Sequence, residues 1–135
     1  MMHEEYGYLS ITQVRRLNQE AGRHFLDAST MRFFDSRTAR RAYLTRDGAL
    51  AFFVTSERFM PFDGPASPRT YSVRVLQLTT GETPRTLRGD IETVGAFEQY
   101  ATRRQADRAA RAMAVDPSDY LDSIAQDSTR EAAQA

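Results

Sequence analysis

Residues 40–57, RRAYLTRDGALAFFVTSE, decide how this chain is read. Two β-prone runs, residues 40–46 and 49–57, flank Asp47-Gly48, and an Asp-Gly pair between such runs marks a hairpin reversal. The expected reversal is a two-residue type I′ turn, which needs positive φ at both positions. Side chains alternate along a strand, so Leu50, Phe52 and Val54 share one face of the second run and Ala51, Phe53 and Thr55 the other. Apolar residues on both faces mean a central strand covered on two sides, or one face closed by a second copy of the chain.

Working outward, residues 59–69 carry Pro61, Asp63-Gly64-Pro65 and Pro68, which remove backbone donors and predict a loop. Tyr71, Val73 and Val75 then alternate with Ser72 and Arg74 in a third strand to about residue 79, and Thr80-Gly81-Glu82 turns the chain. A fourth strand falls within residues 85–97 around Ile91 and Val94, with Gly89 and Gly95 predicting a bend or bulge.

Both ends of the chain carry helix signals. Ser10-Ile11-Thr12-Gln13 is a capping box, in which the Ser and Gln side chains each satisfy a free N–H at a helix start. Ile11, Val14, Leu17 and Ala21 form the apolar stripe, with Arg15, Arg16, Asn18, Gln19 and Glu20 pointing elsewhere, and Gly22 supplies the stop. The first helix is therefore expected over residues 11–21. Thr102-Arg103-Arg104-Gln105 is a second capping box, and Ala106, Ala109, Ala110 and Met113 make a flat stripe suited to close approach to a sheet, to about residue 114. Asp116-Pro117 pairs an N-cap with proline at the first helical position, predicting a third helix over residues 117–125.

The expected fold is α+β: an antiparallel sheet of three to five strands with two helices packed on one face, in α-β-β-β-(β)-α order, followed by a C-terminal acidic helix or tail. Residues 1–115 form a single domain on this reading and residues 116–135 the acidic segment. The chain length of 135 residues suits one domain. Absence of cysteine excludes a disulfide framework, a Cys-based zinc site and a thiol nucleophile. Eighteen basic residues, all arginine, balance eighteen acidic ones, so any argument for an anionic partner must be local. The lack of lysine is attributed to coding bias before any selection for bidentate contacts. Apolar runs such as residues 49–54 are far short of a membrane span, so a soluble cytoplasmic protein without a membrane partner is expected. No cofactor or metal is expected either.

Between the first helix and the hairpin lies residues 24–37, HFLDASTMRFFDSR. Asp27 and Ser29 are both candidate N-caps for an expected short helical turn through Met31, Arg32, Phe33 and Phe34. Several stretches carry a resemblance when taken together: Gly22-Arg23-His24-Phe25, Thr30-Met31-Arg32-Phe33-Phe34, Ser36-Arg37, Phe53-Val54-Thr55-Ser56-Glu57, Tyr71-Ser72-Val73-Arg74, Ile91-Glu92-Thr93-Val94-Gly95 and Tyr100-Ala101-Thr102. Over residues 10–114 the chain resembles small uncharacterised proteins encoded by bacterial and archaeal viruses and related mobile elements. The resemblance implies a phage-like accessory protein, and brings no activity or ligand with it.

Four clusters are candidates for function. Arg32, Arg37, Arg40, Arg41 and Arg46 against Asp35 give a local net of +4, and with Phe33 they combine guanidinium and aromatic groups, the chemistry of single-stranded nucleic-acid binding. The structural alternative makes Phe33 and Phe34 core residues and the arginines a solvated face. Arg103, Arg104, Arg108 and Arg111 against Asp107 give +3, with Arg104, Arg108 and Arg111 on one side of the helix opposite the alanine stripe. The element order and basic second helix share a layout with double-stranded RNA-binding domains, without their lysine-rich entry to that helix. His24 with Asp27, Ser29 and Asp35 holds acid–base groups, but a capping Asp27 and a hydrogen-bonded His24 explain them. The acidic tail either stays solvated or docks on a basic surface. The resulting order of functions is a non-enzymatic accessory protein binding a host protein through residues 31–41, then nucleic-acid binding by the same arginines and aromatics, then a small enzyme using His24. A homo-oligomer is the further partner expectation.

Overall fold

The computed structural model describes residues 7–22, 31–32, 41–58, 61–81, 85–96 and 99–125. The architecture is an antiparallel α+β fold built on five strands in the order β1-β3-β4-β5-β6: β1 (Tyr8–Ser10), β3 (Arg41–Leu44), β4 (Leu50–Glu57), β5 (Thr70–Leu78) and β6 (Leu87–Val94). Helix α1 (Ile11–Glu20) follows β1 directly, and α2 (Arg103–Val115) and α3 (residues 118–125) close the described chain. A two-residue strand, β2 (Met31–Arg32), lies off the main path and pairs with β4.

Strand β4 is the centre of the sheet. It pairs along its whole length with β5, from Leu50↔Gln77 to Glu57↔Thr70. On its other edge β3 takes only Phe52 and Ala51, leaving room further along for β2 to pair with Ser56 and Glu57. Met31 and Arg32 are therefore extended, and the helical turn expected there does not form. A weak local capping signal loses to backbone pairing on an otherwise open stretch of the central strand.

Leu50 through Glu57 are all buried within one chain. The first of the two sequence readings, coverage on both faces, is the one observed, and Phe53 at 0% exposure has no surface left for a second copy to cover. Phe52, Val54, Val73, Val75 and Val94 lie on the face that receives α2, whose Ala106, Ala110 and Ala114 are buried; a stripe without bulky side chains lets the helix backbone come close. Ala42, Leu44, Ala51, Phe53, Leu76 and Leu78 occupy the opposite face. Helix α1 packs at the edge of the sheet, against β1 and β3.

Both capping boxes form as expected. Ser10 Oγ accepts from the Gln13 N–H at 3.2 Å while the Ser10 N–H donates to Gln13 Oε1 at 2.7 Å, and Thr102 and Gln105 repeat the pattern. Asn18 departs from the expectation for α1: it is buried, because it follows Val14 by one helical turn and so falls on the packed side. Strand β1 was not anticipated. Three residues ending in a cap are too short to show an alternating pattern.

The hairpin reversal is longer than the two-residue turn expected. Thr45 N–H donates to Leu50 O and Gly48 N–H to Thr45 O, each at 2.9 Å, so four residues bridge the strands around a turn ending at Gly48, φ +74°. The Asp47 carboxylate accepts from the Thr45 hydroxyl at 2.7 Å and from the Ala49 N–H at 3.0 Å. Those bonds hold Asp47 below the usual carboxylate pKa, the Ala49 N–H contributing most. Glycine's freedom is used again in β6: the register with β5 shifts between Val75 and Gln77, and Gly89 at φ +73° sits in the extra stretch. Helix α3 starts after Asp116, whose Oδ1 accepts from the Ser118 N–H at 3.2 Å. It docks through Tyr120, whose ring meets Phe52 edge-on at 6.0 Å between centroids.

Candidate functional site

Three features stand out above this scaffold, and each joins residues distant in sequence. The first lies on the face of Phe53. Paired positions on neighbouring strands share a face, so Thr55 and Glu57 of β4, Ser72 and Arg74 of β5 and Thr93 of β6 gather together. Glu57 is 1% exposed and Arg74 6%. Arg74 Nη2 donates to Glu57 Oε1 at 2.9 Å, Arg74 Nε to Thr55 Oγ1 at 2.8 Å and Arg74 Nη1 to Thr93 Oγ1. The Thr55 hydroxyl donates to Glu57 Oε1 at 2.6 Å and the Ser72 hydroxyl to Glu57 Oε2 at 3.1 Å. Burial pulls the guanidinium below its ordinary pKa, and the facing carboxylate opposes that pull. Both carboxylate oxygens are engaged by protein donors, so the pair sits inside a buried hydrogen-bonded network.

The second feature is a ledge of arginine and tyrosine at the β1–β3 side of the sheet. Tyr8 and Tyr43 are register partners and therefore share a face. The Arg41 guanidinium lies 4.3 Å from the Tyr8 ring centroid, and the Arg111 guanidinium, reaching over from α2, lies 5.2 Å from that of Tyr43. Arg111 Nε donates to Asp107 Oδ2 and to the Tyr43 hydroxyl oxygen, each at 3.1 Å, while the Tyr43 O–H donates to Asp107 Oδ1 at 2.6 Å. Burial raises the Tyr43 hydroxyl above its ordinary pKa, and the Asp107 bond adds to this. The bond to Tyr43 is the main cause holding Arg111 above its usual value. Tyr8 is 56% exposed, and Arg104, Arg108 and Arg111 are exposed along α2.

The third is a groove of about 720 Å³ between β6, α2 and α3, walled by Glu92, Asp116 and Asp119 and floored in part by Val94 and Met113. Tyr120 stands at its inner side, where its hydroxyl accepts from Gln77 Nε2 at 2.9 Å and donates to Glu92 Oε1 at 3.1 Å.

The structure thus brings together Arg41 and Arg111, which belong to different clusters in the sequence, with Arg104 and Arg108 further round the same helix. Arg46 is exposed in the hairpin loop. Arg32 is placed only by its backbone, opposite Ser56. Phe33, Phe34, Arg37 and Arg40, together with His24, Asp27, Ser29 and Asp35, lie outside the described residues, as does the tail beyond residue 125. Among the described residues no group of three or more His, Cys, Asp or Glu side chains gathers in a way that could hold a metal ion. Nor is any described helix long and apolar enough to cross a membrane.

Sequence reasoning did not single out Glu57, Arg74, Tyr8 or Tyr43. A signal for the first pair existed: Ser72-Val73-Arg74 alternates with valine beside a strand apolar on both faces, so its polar side must be buried too. Glu57 is the only acid between Asp47 and Asp63. Tyr8 carried no signal, since its pairing with Tyr43 follows from a strand that was itself unmarked.

The chain belongs to a family of unknown function, DUF7447, which it matches over residues 10–111. No curated protein and no solved structure matches it.

Proposed function

We propose that this member of an uncharacterised family is a non-enzymatic, phage-like accessory protein that binds a host protein through the ledge formed by Tyr8, Arg41, Tyr43 and Arg111. The observation that carries the reading is the convergence of two guanidinium–tyrosine contacts on one sheet face. Residues 31–41, the segment first considered, reach this ledge through Arg41. Arginine and tyrosine are the side chains most often found at the energetic centre of protein interfaces, since each combines a flat apolar body with directional polar groups. The partner surface would be acidic, meeting Arg41, Arg104 and Arg108.

Nucleic-acid binding is the second reading, favoured by the same arginines. It ranks lower because each ring already carries a guanidinium against it, which leaves less aromatic surface for base stacking. Net charge is also zero, and the long-range attraction to phosphate is correspondingly small.

An affinity capture from the natural host, with and without nuclease, tests both. The expected result is a captured protein that survives nuclease treatment and is lost with Arg41→Glu and Arg108→Glu together. Capture unaffected by those substitutions overturns the ledge as the binding surface. A gel-shift affinity for single-stranded oligonucleotides falling steeply with salt would move nucleic acid to first place.

A further inference from the structure

The groove between β6 and the two C-terminal helices is independent of the ledge and opposite to it in charge. Among the described residues its carboxylates are Glu92, Asp116 and Asp119, and no arginine lines it, in a chain with as many basic as acidic residues. Along α2 Ala109, Ala112 and Met113 line the groove, while the exposed Arg104 and Arg108 do not. Val94, Met113 and Ile124 supply apolar surface beneath the carboxylates, the arrangement that suits the aliphatic stem and charged head of an arginine or lysine.

One wall of the groove is a strand edge. β6 ends the sheet, and among the described residues nothing pairs with its outer side. Its first half is blunted by the register shift and Gly89, a common protection of edge strands. Its second half is regular, with Glu92, Thr93 and Val94 paired in register to Val75, Arg74 and Val73, and these three residues line the groove. Backbone N–H and C=O groups alternate between the two sides of a strand, so this half presents an open template beside acidic side chains.

We propose that the groove is a second docking site, which takes an extended basic segment of a protein partner as an added strand along the outer edge of β6. Main-chain hydrogen bonds to residues 92–94 would hold the segment, and alternate basic side chains would reach Glu92, Asp116 and Asp119. Asp116 also starts α3 and Glu92 bonds Tyr120, so Asp119 is the carboxylate whose replacement disturbs the scaffold least.

The test uses the full chain and a fluorescein-labelled octapeptide of alternating arginine and valine, with glutamate replacing arginine in the control. Expected are binding of the basic peptide alone, a loss of about tenfold or more in affinity for Asp119→Arg, and slowed amide exchange at residues 92–94 when peptide is added. Ala112→Arg, an exposed change on the α2 wall, is expected to weaken binding similarly and guards against a folding defect in the first variant. Circular dichroism of both variants verifies the fold. Equal binding of the two peptides, unchanged affinity in both variants, or peptide binding without protection of residues 92–94 overturns the proposal. So does self-association in sedimentation that Asp119→Arg abolishes, since the occupant would then be a second copy of this chain.

Discussion

Replacing Arg74 with methionine tests whether the buried ion pair on the Phe53 face is as tightly coupled as its geometry indicates. The substitution keeps an unbranched apolar stem and removes the guanidinium, so Glu57 loses its 2.9 Å ion pair while staying 1% exposed. The Thr55 and Ser72 hydroxyls remain as donors at 2.6 and 3.1 Å, which softens the loss without supplying a countercharge. Breaking one side of a buried pair costs about 3–5 kcal/mol, mainly because the remaining charge is left uncompensated. Domain stability totals ~5–15 kcal/mol, so the variant should lose about a fifth or more of it and melt about 10–25 °C lower. Glu57→Gln with Arg74→Met should recover at least about 2 kcal/mol relative to the sum of the single changes, because the stranded charge is gone. Urea denaturation of the four proteins in a double-mutant cycle measures both quantities. A cost below about 1 kcal/mol for Arg74→Met, or additive single changes, would refute the claim that the pair is buried and mutually dependent.

Tyr120→Phe keeps the ring against Phe52 but removes the hydroxyl shared by Gln77 and Glu92; we expect a loss of about 1 kcal/mol and faster amide exchange over residues 118–125, and exchange identical to the parent would show that α3 is held by the ring alone. Gly89→Ala meets no atom within 4 Å, so its cost is purely that of a φ of +73° for an L-residue, about 1 kcal/mol in chemical denaturation, and a stabilised variant would contradict the bulge geometry. Burial raises the hydroxyl pKa of Tyr43, Tyr100 and Tyr120. The unfolded chain then gives up these protons first, so their contribution is complete below about pH 10 and declines as pH rises through the folded values. Thermal melts from about pH 8 to about pH 11 should show that decline, shallower in Tyr43→Phe; a flat profile would argue against burial of these hydroxyls.

What could be read without the structure was whatever is decided within a few residues. The capping boxes at Ser10 and Thr102 are closed by side chains three positions away, and Asp116 caps α3 in the same local manner. The alternation of Tyr71, Val73 and Val75, and the glycine at position 89, placed β5 and the irregularity of β6 for the same reason. Even the Asp47-Gly48 hairpin was located correctly, although its length was not. The Asp47 carboxylate bonds Thr45 and Ala49, and Gly48 takes the positive φ within the longer reversal.

The chain's local chemistry by itself determined that two amphipathic helices and a set of antiparallel strands would form, because propensity, capping and alternation are short-range terms. Only the tertiary structure decided that Met31 and Arg32 extend along β4 instead of turning into a helix, since the free edge beside Ser56 and Glu57 exists only once β3 has taken the other half. It also decided which polar residues meet. Glu57 and Arg74 are separated by a proline-rich loop, Tyr43 and Arg111 by most of the sheet, and Glu92 and Asp119 by all of α2. Their encounters are set by strand register and helix placement, and in the strands a shift of one residue would turn each of these side chains to the opposite face.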